Sequence, residues 1–117
     1  MILVVLENQR GKIHPFSIEA VAAGQKFANE LGLELSILCM GENVDELKDQ
    51  ASSFKTNNLI VAKHDLITMY SADGYSKVLS DVIREHNPKF TLFGHSYMVR
   101  DFLPRVSGKL NMPFVSD

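Results

Sequence analysis

The sequence predicts a three-layer α/β/α domain in which a parallel sheet of five strands carries helices on both faces. Two observations support this fold class: five short apolar runs, and four segments of helical spacing between them. Apolar runs without polar alternation are typical of parallel strands that are buried on both faces. Their regular alternation with helices indicates repeated strand–helix–strand units, which build a parallel sheet.

Five strands and a first helix are predicted from these runs. The strands lie at Ile2–Leu6, Leu35–Met40, Asn58–Ala62, Phe90–Phe93 and 112–115. The first helix is predicted over residues 17–31, because Pro15 and Ser17 are typical of a helix start and Gly32 of a helix end. The apolar pattern leaves two strand orders open, 3-2-1-4-5 and 2-1-3-4-5. Ligands in such sheets bind at the carboxyl ends of the strands, where the order reverses.

Two further helices have clear boundaries in the sequence. Asn43 begins the second helix, and Glu46 three residues later completes a capping-box pattern. The third helix has the clearest period, with one apolar face, and Asn87-Pro88 ends it because a proline cannot continue the hydrogen-bond ladder. That apolar face consists of Tyr75, Val78, Leu79, Val82 and Ile83.

The fourth helix is predicted to begin near Asp101. Pro104 is best tolerated in the first turn of a helix, where the missing N–H has no partner, and Asp101 is a suitable N-cap. Residues 94–100 then form a loop at the carboxyl end of the fourth strand. His95, Ser96 and Arg100 of this loop could hold an anion at the helix N-terminus or face a partner domain.

Length and composition limit the classes of function. A chain of 117 residues is one domain, and its 45% hydrophobic and 22% charged residues are ordinary for a globular protein. The net charge of −2 offers no basic surface for nucleic acid or anionic lipid. The apolar run Ile2–Leu6 is too short for a signal sequence or a membrane span. We therefore expect no nucleic-acid partner, no membrane insertion, and a cytoplasmic or organelle-matrix location.

The sequence lacks the common catalytic and cofactor motifs. It has no GxGxxG after the first strand, no P-loop lysine pattern and no GxSxG elbow. The four histidines have no metal-ligand spacing, so no metal site is expected. Cys39, the only cysteine, lies in an apolar run and is expected to be a buried small hydrophobe. This favours a binding or assembly module over a self-contained enzyme.

Two segments together resemble one protein family. The stretch RDFLPRV at residues 100–106, followed by Leu110 and by Ser116-Asp117, resembles the N-terminal domain of the electron transfer flavoprotein alpha subunit, including FixB-type proteins. The opening strand with Glu7, Gly11-Lys12 and Pro15 is similar to the family's first strand and loop. The chain departs from the family at Val99, where many members have glycine.

The resemblance implies a fold and a role. It implies a nucleotide-alpha-hydrolase-like sheet with strand order 3-2-1-4-5, and a heterodimer with a beta subunit. That heterodimer passes electrons from dehydrogenases to a quinone reductase or another acceptor. FAD would be held mainly by a C-terminal domain absent from this chain, so residues 1–117 would form a single domain without a cofactor. Any AMP would be held by the beta subunit.

Three hypotheses for function follow. The leading one is a non-catalytic scaffold domain of an electron transfer flavoprotein alpha subunit, in which Glu7, Asn8, His95, Ser96 and Arg100 line a crevice or contact neighbouring domains. Arg105 is then expected to form an interdomain ion pair. The alternative is a stand-alone adenine-nucleotide-binding module of the universal-stress-protein type, which would use residues 94–100 and the loop after the first strand. The third is an enzyme with His95 as acid or base.

Overall fold

The computed structural model describes residues 1–9, 12–41, 43–67, 69–94 and 97–110. The strands are β1 (Ile2–Leu6), β2 (Asn8–Gln9), β3 (Lys12–Ile13), β4 (Leu35–Met40), β5 (Asn58–Ala62) and β6 (Phe90–Phe93). The helices are α1 (Pro15–Leu31), α2 (Val44–Ala51), α3 (Ala72–His86) and α4 (Tyr97–Leu110), with a 3₁₀ turn at Asp65–Ile67. Four of the five predicted strands are confirmed as β1, β4, β5 and β6. The fifth, 112–115, lies outside the described residues.

A parallel sheet of four strands forms the centre of the fold. Its order is β5-β4-β1-β6, and Val4 at its middle is in register with Ile37 of β4 and Leu92 of β6. These four strands are the first to fourth of the sequence prediction, in the order 3-2-1-4. The order reverses beside β1, because β4 and β5 extend to one side and β6 lies on the other. A short antiparallel hairpin, β2 with β3, follows β1.

Helices cover both faces of the sheet, which explains why every residue of β1 is buried. Leu3 and Val5 pack with α3 and α4, whereas Ile2, Val4 and Leu6 pack with α1 and α2. This separation follows from the two-residue period of a strand, which sends successive side chains to opposite faces. The prediction of an α/β domain with helices on both faces is therefore confirmed.

Side-chain and left-handed caps set the ends of α1 and α3. His14 Nδ1 accepts a hydrogen bond of 3.0 Å from the Phe16 N–H, so α1 begins two residues before the predicted boundary. Gly32 ends α1 in the left-handed conformation, as predicted. Ser71 Oγ accepts from the Gly74 N–H at 3.0 Å and caps α3, and Asn87 ends that helix, again as predicted.

The capping box predicted for α2 is wrong. The helix does begin after Asn43, but the Asn43 side chain makes no capping hydrogen bond. Asn43 has a φ of 53°, in the left-handed region, whereas a side-chain N-cap normally has an extended backbone that aims its oxygen at the first free N–H groups. The helix start is instead favoured by the acidic residues Asp45 and Glu46 in the first turn.

The predicted start of α4 near Asp101 is also wrong. The helix begins at Tyr97, so Pro104 lies well inside it and residues 97–100 are helical rather than part of a loop. Three buried residues, Val99, Phe102 and Val106, share one face of this longer helix and pack in the core with α3. Burying that stripe outweighs the hydrogen bond that Pro104 removes. Asp101 Oδ2 accepts from Tyr70 Oη at 2.6 Å instead of capping the helix.

Removing the interior proline should stabilise the protein. Pro104 is exposed, so Pro104→Ala restores a backbone donor without disturbing the core. We expect the free energy of unfolding to rise by about 1–2 kcal/mol, less than the ~3 kcal/mol helix penalty because alanine also loosens the unfolded chain. Urea unfolding measures this change. Pro15→Ala is the matched control, because Pro15 occupies the first turn of α1, where proline suits the helix. A Pro104→Ala protein less stable than the Pro15→Ala protein would contradict the prediction.

Candidate functional site

A crevice opens at the carboxyl end of β1, beside the point where the strand order reverses. Its lining comes from the end of β1 and the residues after it (5–8), from Met40 at the end of β4, from Tyr75 in α3, and from Val99 and Phe102 in α4. The crevice is narrow, with room for about one water molecule. This is the place where parallel α/β sheets bind ligands.

The end of β1 is held firmly against the start of α1. The Glu7 N–H donates to Ser17 Oγ at 2.9 Å, and the Glu7 carbonyl accepts from the His14 N–H at 2.8 Å. Ser17 is fully buried, so this hydrogen bond is shielded from water. The backbone that carries the Glu7 side chain is therefore fixed on both sides.

The Glu7 carboxylate is incompletely paired. Its Oε2 is buried and has no hydrogen-bond partner among the described residues. A carboxylate oxygen that has lost water without gaining a donor is energetically costly. Glu7 is therefore the most unusual polar group in the lining of the crevice.

Aromatic side chains form the inner wall of the crevice. The Tyr75 ring packs edge-on against Tyr70, with centroids 4.9 Å apart, and lies 5.8 Å from the Phe102 ring. The Tyr75 hydroxyl lies close against Gly41, where a Cβ atom would overlap it. Gly41 also has a φ of 111°. Glycine therefore suits this position because it adopts that conformation and because it has no side chain to overlap Tyr75.

The structure brings two of the predicted site residues, Glu7 and Asn8, into the crevice. Arg100 is exposed in the first turn of α4, next to Val99 but outside the lining. His95 and Ser96 lie outside the described residues. The sequence analysis did not assign Met40, Val99 or Phe102 to the crevice. Their positions could have indicated a place in the crevice. Met40 ends a strand, and Val99 and Phe102 lie in the first turns of the helix after the fourth strand.

Arg105 forms an ion pair within the domain. Its Nη1 contacts Asp73 Oδ1 at the start of α3, and both side chains are substantially exposed. Exposed ion pairs contribute little to stability, typically about 0–1 kcal/mol. The interdomain ion pair expected for Arg105 stays a prediction.

Burial changes the acidity of two side chains near the sheet. Burial raises the pKa of the Cys39 thiol to about 11, although the charge of Lys48 lowers it slightly. Cys39 packs in the core beneath α1 and α2, which confirms the prediction of a buried small hydrophobe. Partial burial, together with the hydrogen bond to Asp101, raises the pKa of Tyr70. Both groups are therefore protonated at neutral pH.

Within the described ranges, no group of three histidine, cysteine, aspartate or glutamate side chains is placed to hold a metal ion. The helices of this same part of the chain include none with the length and apolar character needed to cross a membrane.

The fold and the crevice together define a parallel α/β domain whose switch-point crevice is mainly apolar and carries one carboxylate. The chain belongs to the electron transfer flavoprotein domain family, whose model matches residues 2–117. The family membership expected from residues 100–106 and from the opening strand is thus confirmed.

Individual relatives cover nearly all of this chain. It is 28% identical to the electron transfer flavoprotein subunit alpha of Clostridium acetobutylicum, over 97% of this chain and 34% of that protein. It is 32% identical to Protein FixB of Clostridium saccharobutylicum, over 97% of this chain and 34% of that protein. It is 31% identical to the acryloyl-CoA reductase electron transfer subunit beta of Anaerotignum propionicum, over 99% of this chain and 32% of that protein. The chain therefore spans about a third of the length of these relatives.

Proposed function

We propose that this chain acts as a non-catalytic scaffold and interaction domain of an electron transfer flavoprotein alpha subunit. With a beta subunit, such an assembly carries electrons from dehydrogenases to an acceptor such as a quinone reductase. The observation that carries the proposal is the family match over residues 2–117, together with relatives that are named as electron transfer subunits. The location proposed for the assembly is the cytoplasm or an organelle matrix.

The described lining of the crevice does not suit FAD. A flavin dinucleotide carries a pyrophosphate, which proteins hold with backbone N–H groups of glycine-rich loops, helix N-termini or cations. The described lining contains no lysine or arginine, and most of its residues are apolar. Such a lining offers no cation to pair with a pyrophosphate. We therefore propose that FAD binds elsewhere in the alpha–beta assembly, mainly in a further domain of the alpha subunit.

We propose that the strand predicted at 112–115 completes the domain. In the described sheet, β6 pairs only with β1, so its other edge has backbone groups to share. A right-handed crossover through α4 would bring the predicted strand at 112–115 to that edge. The order would then be 3-2-1-4-5, the order implied by the family resemblance, and residues 1–117 would form one domain.

The nucleotide-binding alternative has less support. An adenine nucleotide brings two or more negative charges, and the same largely apolar lining has no described lysine or arginine to pair with them. Residues 97–100, which were expected to extend an anion-binding loop, belong to α4. The scaffold function is therefore the better explanation of this crevice.

Titration calorimetry of this chain with FAD tests the proposed function. We expect no binding when FAD is present at tens of micromolar, because the described lining of the crevice has no cation to pair with a pyrophosphate. Addition of an electron transfer flavoprotein beta subunit and the remaining alpha polypeptide from the same source should give a complex that retains both FAD and this chain. Micromolar affinity of the chain alone for FAD, or a flavin-containing complex that excludes the chain, would overturn the proposal. AMP is the control ligand, and it should not bind the isolated chain.

A further inference from the structure

We propose that the aromatic surface formed by Phe27 of α1 and Phe90 of β6 is the docking site for the side chain of Phe114 of this same chain. This contact rests on the fifth strand proposed at 112–115, and it adds the face of the sheet to which that strand directs its aromatic side chain. The surface lies at the amino end of β6, whereas the crevice lies at the carboxyl end of β1.

The rings of Phe27 and Phe90 form an apolar surface that the described residues leave uncovered. The two rings are stacked, with centroids 6.2 Å apart and planes inclined by 21°. Phe27 is 45% exposed and Phe90 is 43% exposed, although both belong to regular elements. Leu31, one helical turn after Phe27, is exposed as well. A contiguous apolar surface of this kind marks a place where another segment packs.

The chain that follows α4 can reach this surface. α4 has 14 residues and spans ~21 Å, whereas the four residues of β6 span ~13 Å. The helix is therefore long enough to return the chain from the carboxyl end of β6 to its amino end, where Phe90 lies. Residues 112–115 are all apolar, and an extended chain from 111 to 114 covers ~13 Å.

The hydrogen bonds of the sheet show which residues of an added strand would face α1. Along a strand, side chains alternate between the two faces while the backbone groups alternate between the two edges, so in a parallel sheet each face goes with one edge. Ile2, on the α1 face of β1, donates its N–H to the Glu34 carbonyl, toward β4. Leu35, on the same face of β4, accepts from the Asn57 N–H, toward β5. Residues that face α1 therefore bond toward the β5 edge.

Pro113 then selects the face for its neighbours. On a parallel strand beside β6, a residue facing α1 would direct its backbone groups to β6, and a residue facing α4 would direct them to solvent. Proline has no N–H, so within sheets it is confined to edge strands at positions where the missing donor faces solvent. Pro113 would therefore face α4, and Met112 and Phe114 would face α1, on the side of Phe27 and Phe90.

The opposite face of β6 is already covered by α4. The Phe93 ring packs edge-on against Phe102, with centroids 6.1 Å apart, and Phe102 is buried. This face suits the smaller side chains of Pro113 and Val115, whereas the uncovered surface on the α1 face suits a phenylalanine ring.

Urea unfolding of the full chain in a double-mutant cycle tests the contact. Phe114→Ala should lower the equilibrium constant for folding by about tenfold or more in the original chain. In a Phe90→Ala chain the same change should lower it less than about threefold, because the partner ring is already missing. Phe16→Ala is the matched control background, since Phe16 is also an exposed phenylalanine of α1 but lies at the other end of the helix. There Phe114→Ala should keep its full effect.

NMR of the original chain gives a second measurement that needs no variant. We expect nuclear Overhauser contacts from the Phe114 ring to the rings of Phe27 and Phe90. The Phe114 amide should exchange slowly with solvent, because it would bond to β6, and the Val115 amide should exchange fast, because it would point to solvent.

Four results would overturn the proposal. The first is a Phe114→Ala effect below threefold, and the second is an equal effect in the Phe90→Ala and Phe16→Ala backgrounds. The third is a contact of Val115 instead of Phe114 with Phe90, which would place the strand in the other register. The fourth is a dimer in sedimentation that Phe90→Ala dissociates, which would show a second copy on this surface. These measurements involve no FAD, so their failure is distinct from failure of the proposed function.

Discussion

Replacement of Gly41 by alanine should lower the free energy of unfolding by about 3 kcal/mol, through backbone strain and overpacking together. Gly41 has a φ of 111°, a conformation that side-chain-bearing residues rarely adopt. Its new Cβ would also overlap the hydroxyl of Tyr75, which is only 7% exposed and cannot swing into solvent without opening the core. Urea unfolding of the purified variant measures the loss.

Two controls separate strain from overlap at Gly41. Gly32 also has a positive φ, of 65°, but a Cβ there meets nothing within 4 Å. Gly32→Ala should therefore cost only about 1 kcal/mol, the strain part alone. Adding Tyr75→Phe to Gly41→Ala removes the overlapping hydroxyl and should recover part of the loss. Equal losses for the two glycine variants, with no recovery in the double variant, would show that Tyr75 does not press against Gly41.

Alanine at Gly94 should destabilise the protein by about 2–3 kcal/mol, the usual cost of overpacking a site that cannot relax. A Cβ at Gly94 would lie 2.7 Å from the Phe16 carbonyl carbon and 2.8 Å from the Ser17 nitrogen. Both atoms belong to the backbone at the start of α1, so the helix itself would have to move. That movement would pull Ser17 from the Glu7 N–H and loosen the end of β1.

Gly108→Ala is the control for Gly94→Ala, and we expect it to change the free energy of unfolding in the opposite direction. It lies in α4, is exposed, and a Cβ there meets nothing within 4 Å. Gly108→Ala should therefore raise the free energy of unfolding by about 0.5–1 kcal/mol through better helix propensity. Thermal unfolding of the two variants side by side should give melting temperatures on either side of the original value. A Gly94→Ala protein that melts at or above the original temperature would contradict the packing described at α1.

The regular elements were largely predictable because their signals are local. Four strands were predicted with the bounds that the structure shows, and the two central ones, β1 and β4, are buried throughout. The apolar face of α3 was equally clear, and all five of its predicted residues are buried. Gly32 and Asn87-Pro88 marked helix ends through local signals, the glycine typical of a helix end and the proline that cannot continue one. The structure shows both Gly32 and Asn87 in the left-handed conformation.

The two incorrect predictions, the start of α4 and the cap of α2, concern helix starts where the tertiary structure overrides local preference. Pro104 predicted a helix that starts near Asp101, but the burial of Val99 and Phe102 extends α4 back to Tyr97. Asn43 is a residue type that often caps helix N-termini, yet its left-handed backbone prevents its side chain from capping α2. In both cases the deciding interaction is made with residues distant in sequence, or depends on how the chain enters the helix.

The sequence by itself determined the α/β class, the positions of the described main strands, the buried state of Cys39 and the resemblance to the electron transfer flavoprotein family. It also placed Glu7 and Asn8 at a strand end. Only the tertiary structure decided that Met40, Tyr75 and Phe102 meet them in one crevice, and that the Glu7 Oε2 is left without a described partner. Strand and helix periods are encoded over a few residues, whereas a crevice depends on strand order and helix approach, which bring together residues far apart in the chain.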